Sequence, residues 1–273
     1  MRKFDWLLYV TALGLVVFVL FAQGDHADAP EAPPTVLEAD GPTLPPPSPF
    51  DEQILIQVDA PKDGIGTAFA VNRKGQWITA RHVVDGCDSV GLLVAPGQYV
   101  PVESVTLDPD HDLALISTGR SPNPVELDLA TPLRIGSEGY HVGYPQGRPG
   151  EVATRLMSRS NLITRGRREN SEPILAWAEF GRTRGLDGTL GGISGGPVFD
   201  AQGRVRGVIV AESPRRGRIY TTAPASVEAF LTRLNVSPEN GPAEAFDEAT
   251  YGPRSDNARR LLQVVKVACK VKP

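Results

Sequence analysis

The chain has 273 residues, of which 41% are hydrophobic and 22% are charged, so it can bury a full core and is not disordered overall. Its 28 basic and 32 acidic residues give a formal charge of −4, which argues against a nucleic-acid-binding protein, because such proteins usually carry a basic excess. Two cysteines are too few for a disulfide scaffold, and they lack the spacing of a structural zinc site.

The one long apolar run extends from Trp6 to Ala22 and follows two basic residues. As a helix it is just long enough to span a bilayer, and the basic residues place the N-terminus in the cytoplasm. We therefore predict a transmembrane signal anchor over residues 1–22, with the rest of the chain on the far side. The alternative is a secretory signal that is cleaved at the A-x-A-like site of residues 27–29, although Pro30 would hinder cleavage.

Residues 23–50 form a predicted linker that is rich in proline. Eight prolines fall between Pro30 and Pro49. Because proline fixes φ and lacks a backbone N–H, this segment is expected to be an extended, semi-rigid spacer. A proline-rich ligand for a partner domain is the alternative. The folded region is expected to begin near residue 51.

From residue 51 onward the pattern is that of short strands. Gly, Pro, Asn or Asp separate most of the apolar or alternating stretches, which are residues 54–58, 67–71, 77–80, 113–116, 174–180 and 205–211. A single turn at residues 82–84 and the segment Pro224 to Leu234 favour helix. Since the strands do not alternate with long helices, an all-β barrel or sandwich pair is expected. The alternation from Val265 to Val271 favours a strand, with a helix as the alternative.

Three stretches carry residues that could do chemistry. Residues 79–84 place His82 straight after an apolar strand, residues 111–116 begin a strand with Asp112, and residues 191–197 set Ser194 in a glycine-rich turn. Each stretch alone is ordinary. Together they are the parts of an activated serine, which needs a base to remove its proton, a carboxylate to orient that base, and backbone N–H groups turned toward one point.

The chain order of these residues discriminates among serine-hydrolase architectures. Residues 192–196 match G-x-S-x-G, but the α/β-hydrolase fold requires its histidine after the serine. All four histidines precede Ser194, and they are His26, His82, His111 and His141. The α/β-hydrolase order is therefore excluded. The order found here, histidine then aspartate then serine, is the one used by chymotrypsin-like double β-barrels.

These stretches resemble the trypsin-like serine peptidases, and more closely their bacterial HtrA-type branch. Residues 64–69 resemble the first-barrel strand of that family, and residues 207–210 resemble the strand that pairs with substrate. The resemblance covers roughly residues 52–234. It implies two six-stranded antiparallel β-barrels with a short C-terminal helix. The peptidase domain is then residues 51–235, and residues 236–273 are a C-terminal extension packed on it, too short for a PDZ domain.

The resemblance also implies a role for each site residue. His82 is the general base and then acid, Asp112 orients it, and Ser194 is the nucleophile of a serine endopeptidase. The amides of Gly192 and Ser194 form the oxyanion hole, and no metal or cofactor is implied. A protein or peptide is the expected substrate. The residues expected to bind it are Val210, Ala211 and Glu212.

The sequence departs from the family at Ile193, where Asn or Asp usually precedes the serine. Activation through an ion pair with a newly cut N-terminus is therefore not expected. The departure also favours an alternative function, that of a catalytically silent peptide-binding or scaffolding module. With the predicted anchor, the enzyme would be a single-pass protein of the bacterial inner membrane with a periplasmic catalytic domain. Cleavage of a signal would instead make it periplasmic or secreted.

Two further assignments have alternatives. Asp110 could replace Asp112 as the orienting carboxylate, but only Asp112 directly adjoins the apolar strand. Cys87 and Cys269 are expected to form a disulfide, because an exported chain meets an oxidising compartment. Two separate buried thiols are the alternative. His111 and His141 are expected to be plain polar residues.

Overall fold

The structure is a computed structural model that describes residues 41–167 and 169–272. The predicted anchor over residues 1–22 and the predicted linker as far as residue 40 lie outside the described residues. Across the two described ranges, no helix combines the length and the apolar character needed to cross a membrane.

The described residues form fourteen strands and three α-helices. The strands are β1 (Glu52–Val58), β2 (Gly64–Ala70), β3 (Gln76–Thr79), β4 (Ser89–Ala95), β5 (Gln98–Pro101), β6 (Ser104–Leu107), β7 (Ala114–Ser117), β8 (Glu138–Gly143), β9 (Gly150–Gly166), β10 (Asn170–Arg182), β11 (Pro197–Phe199), β12 (Val205–Ser213), β13 (Arg218–Thr222) and β14 (Val264–Lys270). The helices are α1 (Arg81–Val84), α2 (Pro224–Arg233) and α3 (Tyr251–Arg260).

The strands build two curled sheets. The first sheet has the order β5-β4-β14-β2-β3-β7-β6 and is antiparallel throughout. The second has the order β1-β9-β10-β13-β12-β11-β8, and β8 also pairs with the long strand β9, so these strands close on themselves. A shared apolar core joins the sheets, since Phe69 of β2 packs in one cluster with Tyr140 of β8 and Phe230 of α2.

The expected count of six antiparallel strands per barrel was wrong for the described chain, where each sheet has seven. In the second sheet β1 adds in parallel along β9, with Glu52 opposite Ser160. In the first sheet β14 lies between β2 and β4. The alternation of residues 265–271 correctly favoured a strand, because Val265 and Val267 are fully buried while Lys266 is partly exposed.

The C-terminal segment contains more structure than the sequence indicated. The helix predicted from Pro224 is present as α2, and a further helix, α3, precedes β14. The predicted disulfide between Cys87 and Cys269 is also present, with a Cα–Cα distance of 5.5 Å. It joins the segment after α1 to the last strand.

The end of the predicted linker packs against the second sheet, so its assignment as a free spacer up to residue 50 needs correction. Leu44 is only 6% exposed and lies in an apolar cluster with Trp177 and Val198. Its backbone N–H donates to the carbonyl of Leu133 at 2.8 Å. Prolines can flank this pairing at the edge of the sheet, because only the residues between them need to donate a backbone hydrogen bond. Ordered packing therefore begins before residue 51.

Candidate active site

Two neighbouring strands of the first sheet bring His82 and Asp112 together. Thr79 at the end of β3 lies opposite Ala114 at the start of β7. The chain then turns into α1, where the Arg81 amide donates to the carbonyl of Asp112 at 3.2 Å. His82 and Asp112 are thus adjacent because the strands that carry them are paired.

The Asp112 carboxylate binds His82 through both of its oxygens. Oδ2 lies 2.6 Å from the imidazole Nδ1, and Oδ1 accepts the His82 backbone N–H at 2.9 Å. Asp112 is buried, whereas the His82 side chain is partly exposed. Burial opposes the charge on the imidazole, but the Asp112 carboxylate outweighs it and raises the pKa of His82 above 6.5. The carboxylate can therefore hold the ring in one orientation and stabilise its protonated form.

A second buried carboxylate, which sequence reasoning missed, supports Asp112 from the other sheet. Glu172 of β10 is only 2% exposed, and its Oε1 accepts the Asp112 backbone N–H at 2.8 Å. The two residues are 60 positions apart in the chain. No local pattern around Glu172 indicates this contact, because it depends on how the two sheets meet.

The serine turn lies between β10 and β11 of the second sheet and is held by Thr67 of β2. The Thr67 amide donates to the Ser194 carbonyl at 2.8 Å, and its hydroxyl donates to the Gly192 carbonyl at 2.9 Å. Glycine is required at position 192 because φ is +101° and a Cβ would lie 2.6 Å from the Tyr144 carbonyl oxygen. Thr67 therefore ties the first sheet to the serine turn.

Two backbone amides of this turn remain available to a ligand. The amides of Ile193, Gly195 and Gly196 donate to backbone carbonyls. Within the described residues, the amides of Gly192 and Ser194 have no hydrogen-bond partner. These two are the donors that the sequence predicted for an oxyanion hole.

The predicted residues meet at one cavity of about 420 Å³, which is lined by His82, Asp112, Gly192, Ser194 and Val210 among others. In the part of the chain that the structure describes, the Ser194 hydroxyl makes no hydrogen bond to the imidazole. Such contacts are often loose without substrate and tighten when it binds.

The three residues predicted to bind substrate have different surroundings. Val210 lines the cavity. Ala211 is 7% exposed. The Glu212 carboxylate is already engaged, since it accepts the Leu190 amide at 2.8 Å and the Thr189 hydroxyl. Glu212 thus links β12 to the loop that leads into the serine turn.

Ile193, the departure from the family pattern, is anchored by apolar packing. It is 2% exposed and lies in a cluster with Leu186, Leu190, Ile209 and Ile219. An isoleucine side chain offers no hydrogen bond to the turn, so its contribution is burial. The direction of the neighbouring amides must be fixed by other groups.

The alternative acid and the other described histidines lie in separate contacts. Asp110 is exposed and pairs with Arg233 at 2.6 Å. His111 lies 3.0 Å from the buried Asp108 carboxylate. His141 is fully buried in β8, where its Nε2 lies 2.8 Å from the Thr154 hydroxyl. Asp112, and not Asp110, holds His82.

The burial of His141 predicts an acid-sensitive fold. Burial lowers its pKa from 6.5 to about 3, so below pH 6.5 the unfolded chain binds a proton that the folded chain excludes. The free energy of unfolding should then fall by up to about 1.4 kcal/mol per pH unit between these two values. His141→Gln should flatten this slope, as measured by urea unfolding from pH 7 to pH 4. Equal slopes for the two proteins would contradict the prediction.

The described residues contain no group of three or more His, Cys, Asp or Glu side chains arranged to hold a metal ion. Two curled β-sheets, with a histidine–aspartate pair on one facing a glycine-rich serine turn on the other, define the chymotrypsin-like class of fold. The chain belongs to the trypsin-like peptidase family, because the trypsin-like peptidase domain model matches residues 66–208.

Two curated relatives agree with this family. The chain is 30% identical over 167 residues to the "Probable periplasmic serine endoprotease DegP-like" of Chlamydia trachomatis, covering 60% of this chain and 31% of that protein. It is 29% identical over 171 residues to "Protease Do-like 5, chloroplastic" of Arabidopsis thaliana, covering 57% and 50% respectively. The chain therefore spans half or less of the length of these relatives. The HtrA/DegP type is the branch that it resembles.

The active form of the Rv3671c protease from M. tuberculosis has a similar fold. The TM-score is 0.52 at 18% sequence identity, and the match covers 75% of this chain and 99% of that chain. At this identity the comparison supports the fold alone.

Proposed function

We propose that this chain is a serine endopeptidase in which His82, Asp112 and Ser194 form the catalytic triad. The observation that carries the proposal is the pair of bonds from Asp112 to His82 beside a serine turn with two unoccupied amides. These are the groups needed to orient a base, activate an alcohol and stabilise an oxyanion. The proposed domain is residues 51–235, and residues 236–273 are proposed as a C-terminal extension packed on it. The placement of β14 in the first sheet supports this division.

The geometry supports a two-step acyl transfer. As Ser194 Oγ attacks the substrate carbonyl carbon, its proton moves to His82 Nε2, and Asp112 stabilises the resulting imidazolium. The amides of Gly192 and Ser194 then bind the oxyanion. When the C–N bond breaks, the imidazolium returns its proton to the leaving amine. His82 then removes a proton from water as the water oxygen attacks the acyl ester carbon. When the C–O bond to Ser194 breaks, the imidazolium returns its proton to Ser194 Oγ and the acid is released.

The proposed substrate is a protein or peptide that lies in the cavity beside Val210, Ala211 and Glu212. The proposed location is the non-cytoplasmic side of a bacterial inner membrane, with the chain tethered through residues 1–22 or released after signal cleavage. Two observations support this location, the "periplasmic" in the name of the Chlamydia trachomatis relative and the disulfide between Cys87 and Cys269.

A fluorophosphonate probe tests the proposal directly, because it phosphonylates a serine that a neighbouring base activates. The wild-type chain should be labelled at Ser194, and Ser194→Ala should abolish labelling. Since only the neutral imidazole accepts a proton, the labelling rate should fall as the pH drops through the raised pKa of His82. Absence of labelling, under conditions that label a known serine peptidase, would favour the binding module.

A further inference from the structure

The turn between β8 and β9 (residues 144–149, here called the support turn) is bound to the serine turn by one residue. Gln146 has a left-handed backbone, with φ at +53°, which is unusual for a residue other than glycine. Its amide donates to the Gly191 carbonyl at 2.6 Å. Its side-chain Nε2 donates to the carbonyls of Asp187 at 2.7 Å and Thr189 at 2.9 Å.

The bond to Gly191 fixes the direction of an oxyanion-hole amide. The Gly191 carbonyl and the Gly192 N–H belong to the same planar peptide group, and in a trans peptide they point in opposite directions. A donor that holds the carbonyl therefore turns the Gly192 N–H away from the support turn. Because the Ile193 side chain cannot hydrogen-bond to the turn, the bond from Gln146 supplies an orientation that this side chain cannot.

The support turn is itself held by two cations from the C-terminal segment. Arg259 of α3 is buried, and its Nη1 donates to the Gly143 and Gly150 carbonyls at 3.4 and 3.2 Å. Its Nη2 pairs with the Glu151 carboxylate at 2.6 Å. Lys266 of β14 donates to the Gly147 carbonyl at 3.3 Å. The base and the middle of the turn are thus fixed by residues that lie beyond the 66–208 family match.

We propose that Arg259 is a positioning residue for the oxyanion hole, acting through the support turn and Gln146 on the Gly191–Gly192 peptide. This inference rests on the proposed function, since it assigns a catalytic purpose to that peptide. Arg259 touches neither the substrate nor the reacting atoms. Its buried guanidinium holds the support turn in the shape that places Gln146 against the serine turn.

The test compares Arg259→Met with Arg206→Met. Arg206 is the control, because its side chain is as buried as that of Arg259 and pairs with the Asp128 carboxylate at 2.6 Å, as Arg259 pairs with Glu151. Arg259 also contacts the exposed Asp256 carboxylate at 2.8 Å. Both variants should melt at a lower temperature than the wild type. At a temperature where both are folded, Arg259→Met should slow fluorophosphonate labelling by about tenfold or more, while Arg206→Met stays within about twofold.

Hydrogen–deuterium exchange of the 187–195 peptide gives a readout that does not need activity. Exchange there should be faster in Arg259→Met than in Arg206→Met. Labelling within about twofold of wild type, with unchanged exchange, would overturn the inference. If the wild type is not labelled at all, the proposed function fails, while the exchange comparison still decides whether Arg259 orders the loop.

A second pair of variants covers the case in which Arg259→Met does not fold. Gln146 and Arg148 are both exposed on the support turn, so Gln146→Ala and Arg148→Ala should both fold. Gln146→Ala removes the two side-chain bonds to Asp187 and Thr189, and it should slow labelling several-fold and speed exchange at 187–195. Arg148→Ala should change neither. Equal behaviour of this pair would contradict the link between the two turns.

Discussion

Asp112→Asn is expected to lower kcat by about 10⁴-fold at neutral pH while leaving the protein folded. In the wild type, Oδ1 accepts the His82 backbone N–H and Oδ2 faces the imidazole Nδ1. An asparagine keeps the first bond only if its oxygen faces the backbone N–H, which turns its NH₂ group toward Nδ1. The ring must then accept at Nδ1 and carry its proton on Nε2. The nitrogen that should receive the serine proton is thereby blocked.

The matched control is Asp110→Asn, two residues away and equally acidic. The Asp110 side chain is 62% exposed and pairs with Arg233 rather than with the imidazole. Loss of such an exposed pair should change kcat by no more than about twofold. The measurement is the rate of peptide hydrolysis together with the labelling rate. A large loss in Asp110→Asn, or a small one in Asp112→Asn, would mean that the orienting carboxylate is misassigned.

The sequence was informative about the site because the chemistry admits few residue types. Serine activation needs a histidine and a carboxylate, and no histidine follows Ser194, so chain order alone excluded the nucleophile elbow. The structure brings these predicted residues to one cavity. Their roles as a triad remain a proposal, which rests on the order of His82, Asp112 and Ser194 and on the family resemblance.

The supports of the site were not predictable, because the groups that hold it carry no local signal. Gln146 acts partly through its backbone N–H, which every residue except proline has. Thr67 and Gly192 are 125 positions apart. The position of β14 within the first sheet also depends on contacts between residues that are distant in the chain. Alternation indicates a strand with one buried face, but it does not indicate which strand becomes its neighbour.

The second large effect is expected from removing the disulfide with Cys87→Ala and Cys269→Ala together. The bond closes a loop of 182 residues. Its loss increases the conformational entropy of the unfolded chain, so the free energy of unfolding should fall by up to about 5 kcal/mol. The midpoint of urea unfolding should fall accordingly. Wild-type protein in reductant should unfold at the same urea concentration as the double variant, because both lack the same cross-link.

The labelling rate separates this stability effect from catalysis. Cys87 lies just after α1, but hydrogen bonds that do not involve the disulfide hold His82. The His82 backbone N–H donates to the Asp112 carboxylate, and the Arg81 backbone N–H donates to the Asp112 carbonyl. Below its unfolding transition, the double variant should therefore be labelled within about twofold of the wild-type rate. A double variant that is folded but unlabelled would show that the disulfide orients the imidazole. One as stable as the wild type would show that the unfolded chain is not restricted by this bond.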